Sequence, residues 1–171
     1  VKVVGGGGGG AGYCESGGAG GYSEKVINVS AVSTVSVTVG GGGAGVTYWA
    51  VANTGGTSSF GSYCSATGGY GSSYNSQHSG GIGGVGSGGD INLYGGAGTG
   101  HANSAGHYAG GVGGSSYFGS SSTVSRPATN TKTDDSAWGT GGPGARTNDG
   151  SVGNAGMDGA VTVSYTHLRA H

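Results

Sequence analysis

The sequence has little of what usually stabilises a globular domain. Only 24 of its 171 residues are Val, Ile, Leu or Phe, a fraction typical of chains that form no hydrophobic core. Disordered chains usually also carry a large net charge, whereas here 8% of residues are charged and the formal net charge is −1. A flexible low-complexity tether is therefore one interpretation. A fold stabilised by something other than side-chain packing is the other.

The small charge and the lack of long apolar runs also exclude several partners. A near-neutral chain argues against nucleic acid and against an anionic membrane surface. No apolar run approaches the ~20 residues that span a bilayer. The sequence therefore predicts no nucleic-acid binding and no membrane insertion.

Cysteine is scarce, and chemical motifs are absent. Cys14 and Cys64 are too few for a disulfide framework and match no zinc spacing; two buried or half-buried thiols are favoured, with one disulfide as the alternative. The match to G-x-G-x-x-G at residues 84–89 is expected by chance in a chain with 47 glycines, and neither a phosphate-binding loop nor a nucleophile elbow occurs. The histidines lack the Cys or Glu neighbours that complete a metal site. We therefore predict no enzyme activity, no metal and no cofactor.

Glycine is abundant, and its spacing is regular. In "SGGIGGVGSGGD" (79–90), Gly80, Gly83 and Gly86 recur at every third position, and Ile82 and Val85 occupy another row. An α-helix repeats at 3.6 residues and a strand at 2, whereas polyproline II geometry repeats at 3. Similar runs occur at 5–10, 109–115 and 150–159. Because such a helix makes no internal hydrogen bonds, its backbone must pair with neighbouring segments. Glycine rows would face those neighbours, and Ile82 and Val85 would project outward.

Alternating patterns predict short strands between the glycine runs. They occur in "VKVV" (1–4), "EKVINVS" (24–30), "STVSVTV" (33–39), around Phe60–Ser65, and in "GAVTVSY" (159–165). "SAVS" (30–33) is predicted to connect a hairpin, and no segment has a useful helical pattern. The predicted fold is mainly β or irregular: short antiparallel strands plus a bundle of polyglycine II helices, essentially without α-helix.

The segments between the runs are predicted to be loops at the ends of the bundle. They are 46–59, 70–79, 99–108, 121–138 and 145–149, and they carry most of the His, Trp and charged residues. Rigid aromatic side chains in such loops supply binding area at low entropic cost. Several of them could instead cap the bundle and shield its backbone from water, and both roles remain open for each residue.

The order of motifs resembles a known family. "VKVVGGGGGGAG", "GGYSEKVINVS", "TSSFGSYCSATGG", "GSGGDIN", "GGSSYFG" and the closing "GAVTVSY" resemble the glycine-rich domain at the C-terminal tips of many phage tail fibres. The resemblance covers residues 1–166 and leaves 167–171 outside the domain. The pattern also resembles the adhesins of T-even-type phages, in which polyglycine II helices stack in layers and variable loops contact the host.

This resemblance implies a function and a location. The chain would be a non-enzymatic host-recognition module at the tip of a virion's tail fibre, acting outside the cell. Its partners would be an outer-membrane protein or polysaccharide of the host and the rest of the fibre, with a trimer as one arrangement. A structural glycine-rich filament or coat protein is the alternative. The predicted receptor-binding residues are Tyr70, Tyr74, His78, His101, His107, Tyr108 and Trp138.

Overall fold

The computed structural model describes residues 1–47, 50–73, 79–100, 110–121, 137–145 and 151–165, together with the backbone of 103–104 and 107–108. These residues contain ten short strands and no helix, and so no helix that could cross a membrane. The strands are β1 Lys2–Val4, β2 Tyr22–Glu24, β3 Val37–Thr38, β4 Ser58–Phe60, β5 Cys64–Ala66, β6 Gly86–Ser87, β7 Ile91–Leu93, β8 Asn103–Ser104, β9 His107–Tyr108 and β10 Ala160–Thr162.

Residues 5–11 form a polyglycine II helix whose hydrogen bonds follow a three-residue period. Successive amides donate to three different segments in turn, at 2.8–3.0 Å: residues 5 and 8 to 18–21, residues 6 and 9 to 53–56, and residues 7 and 10 to 154–157. The carbonyl groups accept from three further segments, 69–72, 43–46 and 142–145. This helix is therefore surrounded by six neighbours, which accept from its amides and donate to its carbonyl groups.

Residues 15–21 form a second inner helix of the same kind. Its backbone bonds to residues 5–11 and to five other segments, 67–70, 81–84, 96–99, 114 and 139–142. The two inner helices share two neighbours, so ten segments form one hexagonal array with layers of three, four and three. In order across each layer the segments are 52–56, 67–72 and 80–85; then 40–46, 5–11, 15–21 and 94–99; then 153–159, 139–145 and 110–116.

Glycine is needed inside this array because neighbouring backbones touch. A Cβ added at Gly8 would overlap the carbonyl of Tyr70, and one added at Gly17 would overlap the carbonyl of Gly8. Side chains occur where a row faces outward: Ile82 is 62% exposed and Val85 is 40% exposed. The predicted polyglycine II bundle and the outward position of these two residues are confirmed.

A small β-sandwich covers one end of the array. One sheet has the order β10-β1-β2-β7 and the other β3-β4-β5-β6, and every pairing in them is antiparallel. Most of these strands continue directly from a polyglycine II helix, so the array sets their positions. Between the sheets lies the one hydrophobic cluster of the described residues, built on Val3, Phe60, Cys64 and Ala66. Both cysteines are buried thiols, as the sequence favoured.

The strands differ from the prediction in several places. The predicted strand 24–30 contributes only Glu24 to β2, and the predicted strand 33–39 contributes only Val37–Thr38. The hairpin around "SAVS" is wrong, because β2 pairs with β1 and β7 while β3 pairs with β4. The single strand around Phe60–Ser65 is instead the hairpin β4–β5, whose turn contains Gly61 at a φ of 52°. The array places strands that are distant in sequence side by side, and these pairs replace the local ones.

The predicted loop 46–59 is also wrong in its middle. Residues 52–56 form a helix of the array, although only two of them are glycine. Ala52 is small enough to be buried at 4% exposure, and Thr54 lies in the exposed row. A three-residue period therefore tolerates side chains wherever one row faces water.

Candidate functional site at one end of the helix array

The chain alternates in direction from one polyglycine II helix to the next, so its connections fall alternately at two ends. The sandwich end holds the β-sandwich, Val1, β10 and the connection that leaves at residue 116 and returns at Gly139. The other end is here called the distal end. Five connections join consecutive helices there: 12–14, 47–51, 73–79, 100–109 and 146–152. Seven residues at 3.1 Å per residue separate the two ends by about 20 Å.

Backbone hydrogen bonds fix the points from which the distal connections start. The amide of Cys14 donates to Ala145 at 2.8 Å, Val46 donates to Gly10 at 3.0 Å, and Ala52 donates to Ser72 at 2.9 Å. Loops on a rigid frame are a common location of binding residues. The distal end therefore has the geometry of a binding surface whose loops differ in sequence while their anchor points stay fixed.

Two predicted binding segments, 70–79 and 99–108, leave neighbouring helices at this end. Gly80 lies directly beside Gly98 and Thr99, so the connections 73–79 and 100–109 emerge from adjacent helices. The second connection contains the antiparallel pair β8–β9, with Asn103 opposite Tyr108 and Ser104 opposite His107. His107 and Tyr108 thus lie on one strand at the distal end.

The remaining predicted residues are placed differently. Tyr74, His78 and His101 lie outside the described residues. Tyr70 is in the middle of a helix, where its amide donates to Ile82, and its side chain is 53% exposed on the lateral face of the array. Trp138 is 54% exposed at the sandwich end, where its carbonyl accepts a hydrogen bond from Ser116 Oγ at 2.6 Å. The structure does not bring Trp138 together with the distal connections.

Charged groups are scarce at the distal end among the described residues. Among the carboxylate and ammonium groups of the described residues, only Glu15 lies close to this end, and it is fully buried. No group of three or more His, Cys, Asp or Glu in the described part of the chain could hold a metal ion. Val51 in the connection 47–51 is 65% exposed, and the backbone of β8–β9 also lies in a distal connection.

Sequence reasoning missed a second cluster, at the sandwich end. Tyr22 is buried between Tyr117 and Phe118, and its hydroxyl donates to Glu24 Oε2 at 2.5 Å. Burial, followed by this hydrogen bond, raises the pKa of Tyr22, so its phenol remains a donor. The segment "SSYFG" (115–119) was the only sequence feature that pointed to this aromatic cluster. Nothing in the local sequence indicated that the segment would pack against β2.

The same end carries an open cleft of about 290 Å³. Its apolar lining comes mainly from Val1, Ile27, Phe60, Val163 and Tyr165. The cleft lies at the rim of the sandwich, next to the first described residue of the chain. Glu24, Lys25 and Ser164 also line it.

Comparison with known proteins gives one family. A family model described as a glycine-rich domain matches residues 1–166. No curated protein matches the chain at a significant level.

Proposed function

The chain belongs to the glycine-rich domain family, and we propose that it serves as a non-enzymatic host-recognition module at the tip of a phage tail fibre. One observation carries the proposal: five connections gather at the distal end, whereas Val1 and β10 lie at the sandwich end. A fibre shaft joined at Val1 would hold the distal end away from itself. The connections would then be the first part of the domain to meet a cell.

The binding surface in this proposal is formed by the connections 73–79 and 100–109. They emerge from adjacent helices and contain Tyr74, His78, His101, His107 and Tyr108. Such aromatic and hydrogen-bonding residues suit a polar surface, either a polysaccharide or the loops of an outer-membrane protein. Trp138 is no longer part of this surface, because it lies at the sandwich end. Tyr70 lies on the lateral face and would contribute only to a receptor that wraps around the array.

Two features of the chain fit attachment to a cell. The formal net charge of −1 makes long-range electrostatic steering weak, so attachment should depend little on salt. A virion carries several fibre tips, and weak single sites become sufficient through multivalent binding. Neither feature requires a cofactor or a chemical step.

The test compares variants at the two ends of the array. The double variant His107→Ala/Tyr108→Ala changes the distal end, and Trp138→Ala is the matched control, since it removes an exposed aromatic ring at the opposite end. We expect the distal variant to lower the adsorption rate of virions by about tenfold or more, as loss of a binding hot spot does. The control should adsorb like the wild type.

Unfolding temperatures of the isolated domains show whether each variant is folded. If the folded distal variant adsorbs normally, the proposed surface is wrong. If no distal replacement affects adsorption, the structural filament or coat protein becomes the better interpretation.

A further inference from the structure

The outer face of the sheet β10-β1-β2-β7 presents two rows of side chains. Lys2 lies opposite Thr162 and Glu24, and Val4 lies opposite Ala160 and Tyr22. Residues two apart on a strand point to the same side, so both rows share the face turned away from the sandwich core. The strand β7 extends them, with Ile91 beside Glu24 and Leu93 beside Tyr22.

The second row is covered at Val4 and Tyr22, whereas the first row is open. Tyr117 stacks on Tyr22 with ring centroids 3.7 Å apart and planes inclined by 13°, and Phe118 meets Tyr22 edge-on at 6.2 Å. Val4 and Tyr22 are consequently buried. The first row keeps its exposure: the side chains of Lys2 and Glu24 are 42% and 31% exposed, and Ile91 is 49% exposed. Tyr117 is itself half exposed and forms a step beside this row.

We call this surface the Tyr117 ledge and define it by Tyr117, Lys2, Glu24, Thr162 and Ile91. The Glu24 carboxylate is held by a hydrogen bond, and the Lys2 ammonium lies beside it. Tyr22 donates to Glu24 Oε2, and the Glu24 side chain is partly exposed to solvent. Lys2 Nζ lies 4.0 Å from Glu24 Oε2 and 5.8 Å from the centre of the Tyr117 ring. One donor, one acceptor and one aromatic ring therefore converge on a single exposed spot.

We propose that the Tyr117 ledge binds a neutral saccharide. The apolar C–H face of a sugar ring would stack on the exposed part of Tyr117, with Ile91 extending the apolar contact. Sugar hydroxyl groups would donate to Glu24 Oε1 and accept from Lys2 Nζ, and hydrogen bonds to ionised groups are the stronger kind. The adjacent carboxylate and ammonium cancel each other's charge, which favours a neutral ligand over an ionic one. This site is independent of host recognition at the distal end.

The rigidity of Tyr117 supports a binding role over simple coverage. The ring is fixed on one face by Tyr22 and at its edge by Phe118, whose ring is perpendicular at 5.5 Å. Covering Tyr22 requires only one face of the ring, yet Tyr117 keeps half of its surface in water beside two charged groups. A side chain fixed in this way loses little conformational entropy when a ligand binds.

The test is an NMR titration of the folded chain with neutral oligosaccharides: maltohexaose, cellohexaose, mannohexaose and hexa-N-acetylchitohexaose. We expect at least one of them to bind with a Kd of about 1 mM or tighter and to shift the amide signals of Lys2, Glu24 and Tyr117. The variant Tyr117→Ala should raise that Kd by at least about tenfold, whereas Tyr117→Phe should keep it within about threefold, because the ring remains. Tyr94→Ala is the control, since Tyr94 is 79% exposed on the edge of the array.

Lys2→Met provides a second test if Tyr117→Ala does not fold, because Lys2 is exposed and its replacement removes only the ammonium group. We expect it to weaken binding by about fivefold or more. The proposal is overturned if none of the four sugars binds, if the shifts map elsewhere, or if the folded ledge variants bind like the wild type. Tighter binding of hexagalacturonate than of any neutral sugar would overturn the assignment to a neutral ligand.

Discussion

At Gly8, one added methyl group would disturb three neighbouring helices. The amide of Gly8 donates to Gly18 at 2.9 Å, and its carbonyl accepts from Gly142 at 2.8 Å. Its third direction is filled by the backbone of Tyr70, whose carbonyl a Cβ would overlap. Backbone atoms cannot move aside as a flexible side chain can, so an alanine here must push whole segments apart.

Replacing Gly8 with alanine should therefore destabilise the fold strongly. Overpacking costs about 1–3 kcal/mol, and each buried hydrogen bond lost on separation costs about 1–3 kcal/mol more. Gly41→Ala is the matched control, because an added Cβ there would meet only Asp158 Oδ1, at an ordinary 3.8 Å. It should change the free energy of unfolding by less than about 1 kcal/mol, with the lower entropy of the unfolded chain favouring stability.

Denaturant unfolding of both variants provides the measurement. A loss of about 3 kcal/mol or more for Gly8→Ala beside a nearly unchanged Gly41→Ala supports close backbone packing. Equal midpoints and slopes for the two variants would contradict it.

Among the elements, the β-sandwich is the part stabilised in the ordinary way. Val3 from one sheet packs against Phe60, Cys64 and Ala66 from the other, and Ile27 and Val161 close the sides. Burial raises the pKa of the Cys64 thiol above its ordinary value of 9.0, and this effect outweighs the opposing influence of the N-terminal ammonium and Lys25. The thiol therefore stays protonated in the folded state at a pH where it ionises in the unfolded chain.

This difference predicts a loss of stability in alkali. Because the unfolded thiol ionises near pH 9 and the folded one does not, its contribution is fully present below pH 9 and is lost as the pH rises further. The slope can reach about 1.4 kcal/mol per pH unit. We expect the unfolding free energy of the wild type to fall more steeply between pH 9 and 10 than that of Cys64→Ala. Parallel curves for the two proteins would show that the thiol ionises equally in both states.

On the scale of the whole molecule, the most protected backbone carries almost no side chains. Residues 5–11 and 15–21 lie at the centre of the array, and each is enclosed by six neighbours. The hydrophobic cluster lies beyond one end of them. The stability of the array therefore depends on hydrogen bonds between segments that are far apart in the sequence.

Amide exchange should reveal this arrangement. The amides of Gly8, Gly18 and their row neighbours should exchange only when the whole domain unfolds, because none can open without separating the layers. Amides of residues 28–36, an exposed connection without strand structure, should exchange many times faster and serve as the internal control. Exchange of the inner glycines at rates similar to this connection would exclude a cooperative array.

The sequence by itself determined the kind of helix and the orientation of its rows. A period of three with glycine in two rows requires backbone neighbours on those sides and leaves the third row for Ile82 and Val85, both of which the structure exposes. The alternating residue patterns likewise located β1 and β10. The sequence has no helical pattern, and the described residues contain no helix. These features follow from local geometry, which the residue types fix.

Only the tertiary structure decided which segments are neighbours and which connections share an end. A polyglycine II helix bonds equally well in six directions through identical backbone groups, so its own residues specify no partner. That is why the pairing of β2 with β7, the entry of residues 52–56 into the array and the stacking of Tyr117 on Tyr22 were not predictable. It is also why Trp138 could be grouped with Tyr108 in the sequence, although the alternating direction of the helices places them at opposite ends.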